Sequence, residues 1–217
     1  MKRIFISRSL KPSSPIRQVI GQNQLTDQSL IQFSKLDFDT PEADWIFFYS
    51  RNGVKFFFQN GNYELYPFLW ACMNKGTADE LSHYVTDTSF VGSGTPEEIA
   101  ESFKQHIDSG QKVCFIRANN SKDSIMKLLV DHDHFSIPVY DNVPVENVPD
   151  QEFDILIFTS PLNAEVWFRH SVYNGEKVIA IGTTTADHLK NSLGIETVIT
   201  AENPSESSIA ECLASLL

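Results

Sequence analysis

Cysteine is scarce in this sequence of 217 residues. It has an odd number of cysteines, three, and they form no C-x-x-C motif: Cys72, Cys114 and Cys212. This pattern predicts neither a disulfide scaffold nor a zinc site. Three such cysteines indicate a reducing, cytoplasmic compartment. The sequence also has no apolar run long enough to span a membrane, and the apolar stretch near Met1 is too short for a secretory signal.

Positive charge is also in short supply. Lys and Arg number 17 against 28 Asp and Glu, which gives a formal net charge of −11. Proteins that bind nucleic acid normally carry a basic surface, so the composition argues against that class. An anionic ligand would have to be held by local donors, because the overall field repels it.

Signatures of common catalytic machinery are missing as well. The sequence has no G-x-S-x-G, no Walker loop and no G-x-G-x-x-G, and no His, Asp or Cys pair suggests a nucleophilic centre. The stretch from Asp131 to His134 offers possible metal ligands, but no other cluster completes a site. We interpret that stretch as a polar turn before a strand.

Short apolar runs alternate with helical patterns along the chain. The predicted strands are residues 2–7, 44–50, 68–73, 112–117, 154–160 and 178–181, and the predicted helices are residues 52–59, 77–84, 96–107, 122–131, 163–170, 184–193 and 205–216. Continuous apolar strands are typical of a parallel sheet covered on both faces. Strands that alternate with helices predict an α/β fold.

A disguised repeat links residues 44–107 with residues 154–217. Each begins with an apolar strand that ends in serine, Ser50 or Ser160, and each continues to a Thr-Ala-Asp motif at Thr77 or Thr185. The repeat predicts two similar α/β domains. It leaves open whether the chain divides near Gly110 or exchanges segments.

Small polar residues follow six of the predicted strands. They are Ser7-Arg8, Ser50-Arg51, Asn74 to Thr77, Arg117 to Lys122, Ser160 to Asn163 and Gly182 to Thr185. Ligands of α/β proteins bind at the carboxyl ends of parallel strands, and we expect each group to open a helix whose free N–H groups favour anions. Singly, each serine, threonine or asparagine fits a helix cap; together the six groups predict an anion-binding cleft.

Several motifs, taken in order, resemble those of the uroporphyrinogen-III synthase family over nearly the whole chain. They are Phe5 to Arg8, Phe48-Tyr49-Ser50, Arg117 to Lys122, Pro138-Val139-Tyr140, Phe158 to Pro161 and Ala180 to Ala186. The last is the most specific, because it is similar to the family's Ile-Gly-x-Thr-Thr-Ala stretch. The sequence departs from the family at Asn74, where glycine is usual, and at Ala118 and Ser121, in a loop that is richer in glycine in the family.

This resemblance implies two similar α/β domains with parallel sheets flanked by helices, joined by a two-stranded linker around an interdomain cleft. The first domain would be discontinuous, with residues 1–37 plus 145–217, and the second would contain residues 38–144. The implied linkers, near residues 35–41 and 140–147, contain proline and little charge, as extended connections do.

The activity implied by the resemblance is the cyclisation of hydroxymethylbilane, a linear tetrapyrrole, with loss of water and inversion of ring D to give uroporphyrinogen III. The substrate cyclises unaided to the I isomer, so the main task is positioning, which agrees with a sequence that lacks a catalytic pair. No metal or organic cofactor is implied. We expect a cytoplasmic monomer with no nucleic-acid or membrane partner, to which hydroxymethylbilane synthase could hand the substrate.

Tyr140, which resembles the family's tyrosine, is the predicted catalytic acid, since a phenol keeps its proton at neutral pH and can donate it. Its alternative role is to pack at the hinge. The predicted substrate-binding residues are Arg8, Ser50, Arg51, Thr77, Asn119, Ser121, Lys122, Ser160, Thr184 and Thr185. Lys122 and Arg8 are the leading cations among them, and each has a surface role as its alternative.

Two further functions stay open at this point. A two-domain small-molecule-binding protein or sensor would have the same hinge and cleft, because a fold does not fix a function. A degenerate synthase-like domain that acts as an interaction module is the third possibility.

Overall fold

The computed structural model describes residues 1–61, 63, 66–121 and 123–217. In chain order its elements are β1 (Arg3–Ile6), α1 (Pro15–Val19), β2 (Gln24–Asp27), β3 (Ile31–Lys35), β4 (Trp45–Phe48), α2 (Arg51–Phe58), β5 (Leu69–Cys72), α3 (Lys75–Leu81), β6 (Phe90–Val91), α4 (Pro96–Lys104), β7 (Lys112–Ala118), β8 (Asp133–Pro144), β9 (Ile155–Phe158), α5 (Pro161–His170), β10 (Lys177–Ala180), α6 (Thr183–Asn191), β11 (Val198–Thr200) and α7 (Glu206–Ala214). A 3₁₀ turn at Met126–Leu128 lies between β7 and β8. None of the helices described is long and apolar enough to cross a membrane.

The chain forms two compact units. Unit 1 contains Met1–Gln32 and Val143–Leu217, and unit 2 contains Phe33–Asn142. The chain passes from one unit to the other within β3 and again within β8. The domain boundaries predicted after residues 37 and 144 stay a prediction.

Unit 1 is built on a sheet with the strand order β11-β10-β9-β1-β2, in which all neighbours are parallel. The strand nearest the N-terminus, β1, lies beside β9, with Ile4 opposite Ile155. Alternate residues of β1 enter two different cores, Phe5 on one face of the sheet and Ile4 and Ile6 on the other. Both faces are therefore covered, which explains why these strands are apolar throughout.

Unit 2 repeats this arrangement with one strand added. Its sheet has the order β3-β8-β7-β4-β5-β6, and the pairs from β8 to β6 are parallel. The order β6-β5-β4-β7-β8 matches β11-β10-β9-β1-β2 of unit 1. Both faces are again buried, because Ile46 and Phe48 enter one core while Trp45 and Phe47 enter the other. The α/β fold with parallel sheets, predicted from the sequence, is confirmed.

Side-chain caps fix where most of these helices begin. Ser50, Asn74, Ser160 and Ser205 each accept a hydrogen bond from a backbone N–H group in the first turn of the following helix. Thr95 and Glu98 form a reciprocal capping box at the start of α4. These bonds satisfy donors that the helix itself cannot satisfy.

Two expectations about helices were wrong. The predicted helix at residues 122–131 is only the 3₁₀ turn within the described residues, because Asp123 takes the left-handed conformation (φ 54°) just before it. Ile125 and Leu129 are fully buried, so their helix-like spacing reflects burial of a turn. The polar residues after β1 and β7 open no α-helix directly, since α1 begins only at Pro15.

Candidate active site

The predicted acid, Tyr140, lies next to a predicted substrate-binding residue, Ser50. Tyr140 comes from β8 and Ser50 lies two residues after β4, and their hydroxyl oxygens are 3.1 Å apart. Ser50 Oγ also accepts from the Gly53 N–H at 3.0 Å as the cap of α2. A hydroxyl group can both donate and accept, so either Ser50 or Tyr140 can donate the proton in the hydrogen bond between them. The structure thus brings together two site residues that are 90 positions apart in the sequence.

Two phenylalanines that the sequence analysis missed hold the Tyr140 ring. Phe56 of α2 stacks on it, with ring centres 5.2 Å apart and planes at 19°. Phe33 of β3 meets it edge-on, at 5.7 Å and 82°. Phe56 follows Gly53, whose N–H donates to Ser50, by three positions on α2. Residues three apart lie on the same face of a helix, so this spacing could have indicated that Phe56 lies on the side of α2 that bears Gly53. Phe33 offers no such signal, because only the pairing of β3 with β8 brings it there.

The neighbouring tyrosine, Tyr49, is not suited to donate a proton. Burial raises the pKa of Tyr49 to about 12, and its oxygen accepts from the Met126 N–H at 2.9 Å. Its ring packs in the core on the other face of the sheet, with Phe47 and Phe115. The Tyr49 hydroxyl is therefore engaged on the opposite face of the sheet from Tyr140.

A loop after β7 contributes polar groups beside Tyr140. The Asn119 N–H donates to the Tyr140 carbonyl at 2.9 Å, and Asn119 Nδ2 donates to Asp141 at 3.0 Å. Arg117 holds the loop from within, because its guanidinium donates to the carbonyls of Ala118 and Asn119 at 2.9 and 2.8 Å. Ser121 lies in this loop, while Lys122, also predicted to bind substrate, lies outside the described residues.

In unit 1 the distinctive feature is the start of α6. Gly182 stands at the cap position and supplies no side-chain acceptor to the first turn. Thr184 is exposed and Thr185 is buried, and neither threonine hydroxyl has a hydrogen-bond partner among the described residues. A cavity of about 620 Å³ exists elsewhere in unit 1, whereas the recess at α6 is smaller, about 280 Å³, and is lined by Gly182, the threonines and Pro204. This first turn can bind an anion through its N–H groups and hydroxyls.

The equivalent helix start in unit 2, that of α3, is capped by a side chain of the same segment, Asn74. Asn74 Oδ1 accepts from the Thr77 N–H at 3.0 Å and from the Thr77 hydroxyl at 3.2 Å. Thr77 is buried, with 2% of its surface exposed. The structure therefore places predicted residue Thr77 in a cap, with its hydroxyl engaged.

Ser160 and Arg8 lie near the carboxyl ends of the unit 1 strands, and each has a partner within unit 1. Ser160 Oγ accepts from the Asn163 N–H at 3.3 Å and from Asn163 Nδ2 at 2.8 Å. Arg8 forms an ion pair with Glu206 at 3.7 Å, and Glu206 also accepts from the Ser14 hydroxyl. Arg51 is an exposed cation in the first turn of α2.

A serine and a threonine join the ends of β1 and β9. Ser7 Oγ accepts from the Thr159 N–H at 2.9 Å, and the Thr159 hydroxyl donates to the Ser7 carbonyl at 3.0 Å. Ser7 is almost fully buried, so this pair stabilises the strand ends on which Arg8 and Ser160 stand. The sequence analysis assigned Thr159 no role.

Two buried thiols and the possible metal ligands are further candidates for reactive groups among the described residues. Burial raises the pKa values of Cys72 and Cys114 to about 12, so these thiols stay protonated and unreactive at neutral pH. The described part of the chain contains no group of three or more His, Cys, Asp or Glu side chains placed to hold a metal ion.

The fold and the site define a two-unit α/β protein with polar groups at the carboxyl ends of its parallel strands, where such proteins bind small molecules. Two solved structures are similar over the full length. The uroporphyrinogen-III synthetase of Helicobacter pylori is 22% identical, with a TM-score of 0.69 and 100% of each chain covered. A mutant uroporphyrinogen III synthase from the extremely thermophilic bacterium Thermus thermophilus is 15% identical, with a TM-score of 0.56 and 100% of this chain and 99% of that chain covered. At these identities the likeness concerns the fold.

The family model for uroporphyrinogen-III synthase HemD matches residues 20–211. The chain belongs to the uroporphyrinogen-III synthase family. It is therefore an enzyme of tetrapyrrole biosynthesis that performs a lyase-type cyclisation. The family and the activity predicted from the sequence are confirmed, and the two non-enzymatic alternatives gain no support.

Proposed function

We propose that this chain converts hydroxymethylbilane to uroporphyrinogen III with Tyr140 as the acid that helps the hydroxyl group to leave. The observation that carries this assignment is the 3.1 Å contact between the Tyr140 and Ser50 hydroxyl oxygens at the carboxyl end of β4. Ser50 orients the phenol, while Phe56 and Phe33 limit the movement of its ring. An acid held in one orientation loses less entropy when it reacts.

The proposed reaction begins at ring A of the linear tetrapyrrole. Tyr140 donates its proton to the departing hydroxyl group, so the C–O bond breaks and water leaves, while the pyrrole nitrogen supplies electrons and becomes part of an azafulvene cation. The substituted carbon of ring D attacks this cation and gives a spiro intermediate. The bond from that carbon to the methylene bridge of ring C then breaks, which leaves an azafulvene cation on ring C. The unsubstituted α-carbon of ring D attacks this cation and closes the macrocycle with ring D inverted. That carbon then loses its proton, which returns to Tyr140.

The substrate carries eight carboxylates, which this acidic protein must bind through local donors. We assign one of them to the first turn of α6, where N–H groups and the hydroxyls of Thr184 and Thr185 lack a protein acceptor among the described residues. Charge-assisted bonds of this kind contribute about 1.5–3 kcal/mol each. Arg8, Arg51, Asn119, Ser121, Lys122 and Ser160 remain proposed contacts for the others. Thr77 is a weaker candidate, because its hydroxyl already donates to Asn74.

We also propose that residues 1–37 with 145–217 and residues 38–144 act as two domains. The two compact units support this division. The free state of Cys72, Cys114 and Cys212 supports a reducing, cytoplasmic compartment. The proposal includes a monomer that receives hydroxymethylbilane from hydroxymethylbilane synthase, which size-exclusion chromatography and a coupled assay with both enzymes would test.

A single assay tests the proposed function. Freshly generated hydroxymethylbilane is supplied to the protein, the products are oxidised, and the I and III isomers are separated by chromatography. We expect isomer III to appear in proportion to protein concentration, while heat-inactivated protein gives isomer I at the spontaneous rate. Isomer I alone from the native protein would contradict the proposal, and binding of the substrate without turnover would instead favour a sensor.

A further inference from the structure

One aromatic side chain beside the proposed acid is unusually exposed. Phe33 of β3 has 51% of its surface exposed, although its ring touches both Tyr140 and Phe56. The ring centres of Phe33 and Phe56 lie 6.4 Å apart with planes at 64°. Phe33, Phe56 and Tyr140 thus form an aromatic cluster with one largely open member.

A single exposed apolar residue is common on protein surfaces and by itself indicates nothing. Phe33 differs because it is in contact with the Tyr140 ring whose hydroxyl contacts Ser50 at 3.1 Å. Because the Phe33 and Tyr140 rings are in contact, the open side of Phe33 is an apolar surface directly beside the ring of the proposed acid. The chemistry of the substrate bound at Tyr140 decides whether a contact with that surface is favourable.

We infer that Phe33 is a substrate-contact residue whose open side packs against ring A, the pyrrole ring whose hydroxymethyl group loses its hydroxyl. This inference rests on the proposed function, since it takes Tyr140 as the acid for that group. Aromatic rings favour offset-stacked or edge-to-face contacts with one another, and the Phe33 side chain and a pyrrole are both aromatic rings. Once the hydroxyl has left, the pyrrole belongs to a cation, which an aromatic face also attracts.

The test uses three variants of Phe33 in the full chain. Phe33→Ala removes the ring, Phe33→Leu keeps apolar volume without an aromatic face, and Phe33→Trp keeps an aromatic face. We expect Phe33→Ala to lower kcat/KM by about two- to tenfold and to weaken binding of the product by a similar factor. Phe33→Leu should resemble Phe33→Ala, and Phe33→Trp should stay near the parent protein.

Product binding is measured by anaerobic equilibrium dialysis with uroporphyrinogen III, and stability by thermal unfolding. Tyr66→Ala is the matched control, because Tyr66 is 45% exposed and stacks on Phe68 with ring centres 5.3 Å apart. Tyr66 lies before β5, at the opposite edge of the parallel sheet from Ser50. It should change neither kcat/KM nor product binding.

Three outcomes would overturn the inference. Unchanged kcat/KM and product binding in Phe33→Ala would show that the open ring contacts no substrate. Parental kcat/KM and product binding in Phe33→Leu would show that apolar volume, and not an aromatic ring, is what matters. A loss of activity in Phe33→Ala that is explained by its lower melting temperature would show that Phe33 only stabilises the fold. Failure of the parent protein to form isomer III would instead contradict the proposed function, and this inference with it.

Discussion

The two units share the same sequence repeat but differ in how the helices α3 and α6 are capped at their N-termini. In unit 2, Asn74 caps α3 and occupies both the N–H and the hydroxyl of Thr77. In unit 1 the equivalent position is Gly182, so the first turn of α6 and Thr185 have no side-chain partner among the described residues. A helix start that is capped from within gains stability, whereas one left uncapped can accept an anionic ligand. The difference supports the proposed carboxylate binding at α6.

A second difference concerns the serines that end β4 and β9. In unit 1, Asn163 stands three residues after Ser160, and its Nδ2 donates to the Ser160 hydroxyl at 2.8 Å. In unit 2 the corresponding residue is Gly53, which has no side chain, and the Ser50 hydroxyl contacts Tyr140 instead. The same cap is therefore purely local in unit 1 and part of the proposed acid site in unit 2.

The largest expected effect comes from Tyr140→Phe, which removes only the hydroxyl. Turnover should fall by about a hundred- to ten-thousandfold, which is the usual contribution of a general acid. Stability should fall by about 1 kcal/mol or less, since one hydrogen bond is lost. Isomer III formation and thermal unfolding are measured together.

Tyr63→Phe is the matched control for that variant. Tyr63 is another buried tyrosine of unit 2, and its hydroxyl accepts from Asn60 at 3.3 Å. It should lose similar stability and keep its turnover. Parental turnover in Tyr140→Phe would make Tyr140 a packing residue and remove the acid site from unit 2.

The corresponding threonines test the first comparison. Thr185→Ala keeps the backbone donors but loses a hydroxyl that could bind a carboxylate, so kcat/KM should fall by roughly ten- to a hundredfold. Thr185→Val, which keeps the branch, should be as defective. Thr77→Ala should have a smaller effect on kcat/KM and lower stability by about 1 kcal/mol, because it loses the bond to Asn74. A destabilised but fully active Thr185→Ala protein would make Thr185 a structural residue.

Exchanging the cap between the units sharpens the same point. Gly182→Asn should place an amide oxygen over Thr185, as Asn74 does over Thr77, and raise KM by about tenfold through loss of one charge-assisted bond. The backbone at Gly182 is extended and a Cβ there would meet only Pro204 Cβ at 3.9 Å, so the side chain fits. Asn74→Gly is the reciprocal variant and should lower stability by about 1 kcal/mol with little change in KM, because it removes the bonds to the Thr77 N–H and hydroxyl. If the KM of Gly182→Asn stays at the parental value, α6 does not bind the substrate.

Alkaline stability should also separate the units. Cys72, Cys114 and Tyr49 lie in unit 2, and burial raises the pKa of each to about 12. Folding then favours their protonated forms, so stability that is complete below about pH 9 is lost as pH rises toward 12. Each buried thiol should contribute a slope of about 1.4 kcal/mol per pH unit in this range.

Urea unfolding at pH 8, 9 and 10 measures this loss. A Trp167→Phe variant leaves Trp45 and Trp70 as fluorescent reporters of unit 2, while a variant with phenylalanine at both of those positions leaves Trp167 as the reporter of unit 1. The Trp45 and Trp70 signal should show the steeper loss, and Cys114→Ala should make it shallower. Equal slopes in the two units would contradict the assignment.

Much of the architecture was determined by local sequence. Runs such as residues 45–48 and 155–158 are apolar at every position, which is typical of strands covered on both faces, as observed. Serines that end these strands also capped the following helices as expected, because a cap depends on neighbours within three positions. The repeat and the order of motifs were sufficient to identify the family.

Only the tertiary structure decided which aromatic rings meet and which hydroxyls lie beside them. The contacts of Tyr140 with Ser50 and Phe33 join three distant segments through the pairing of strands, which no local pattern specifies. Helix caps act over one turn and can be read from sequence, whereas a site assembled across a sheet depends on strand order and register.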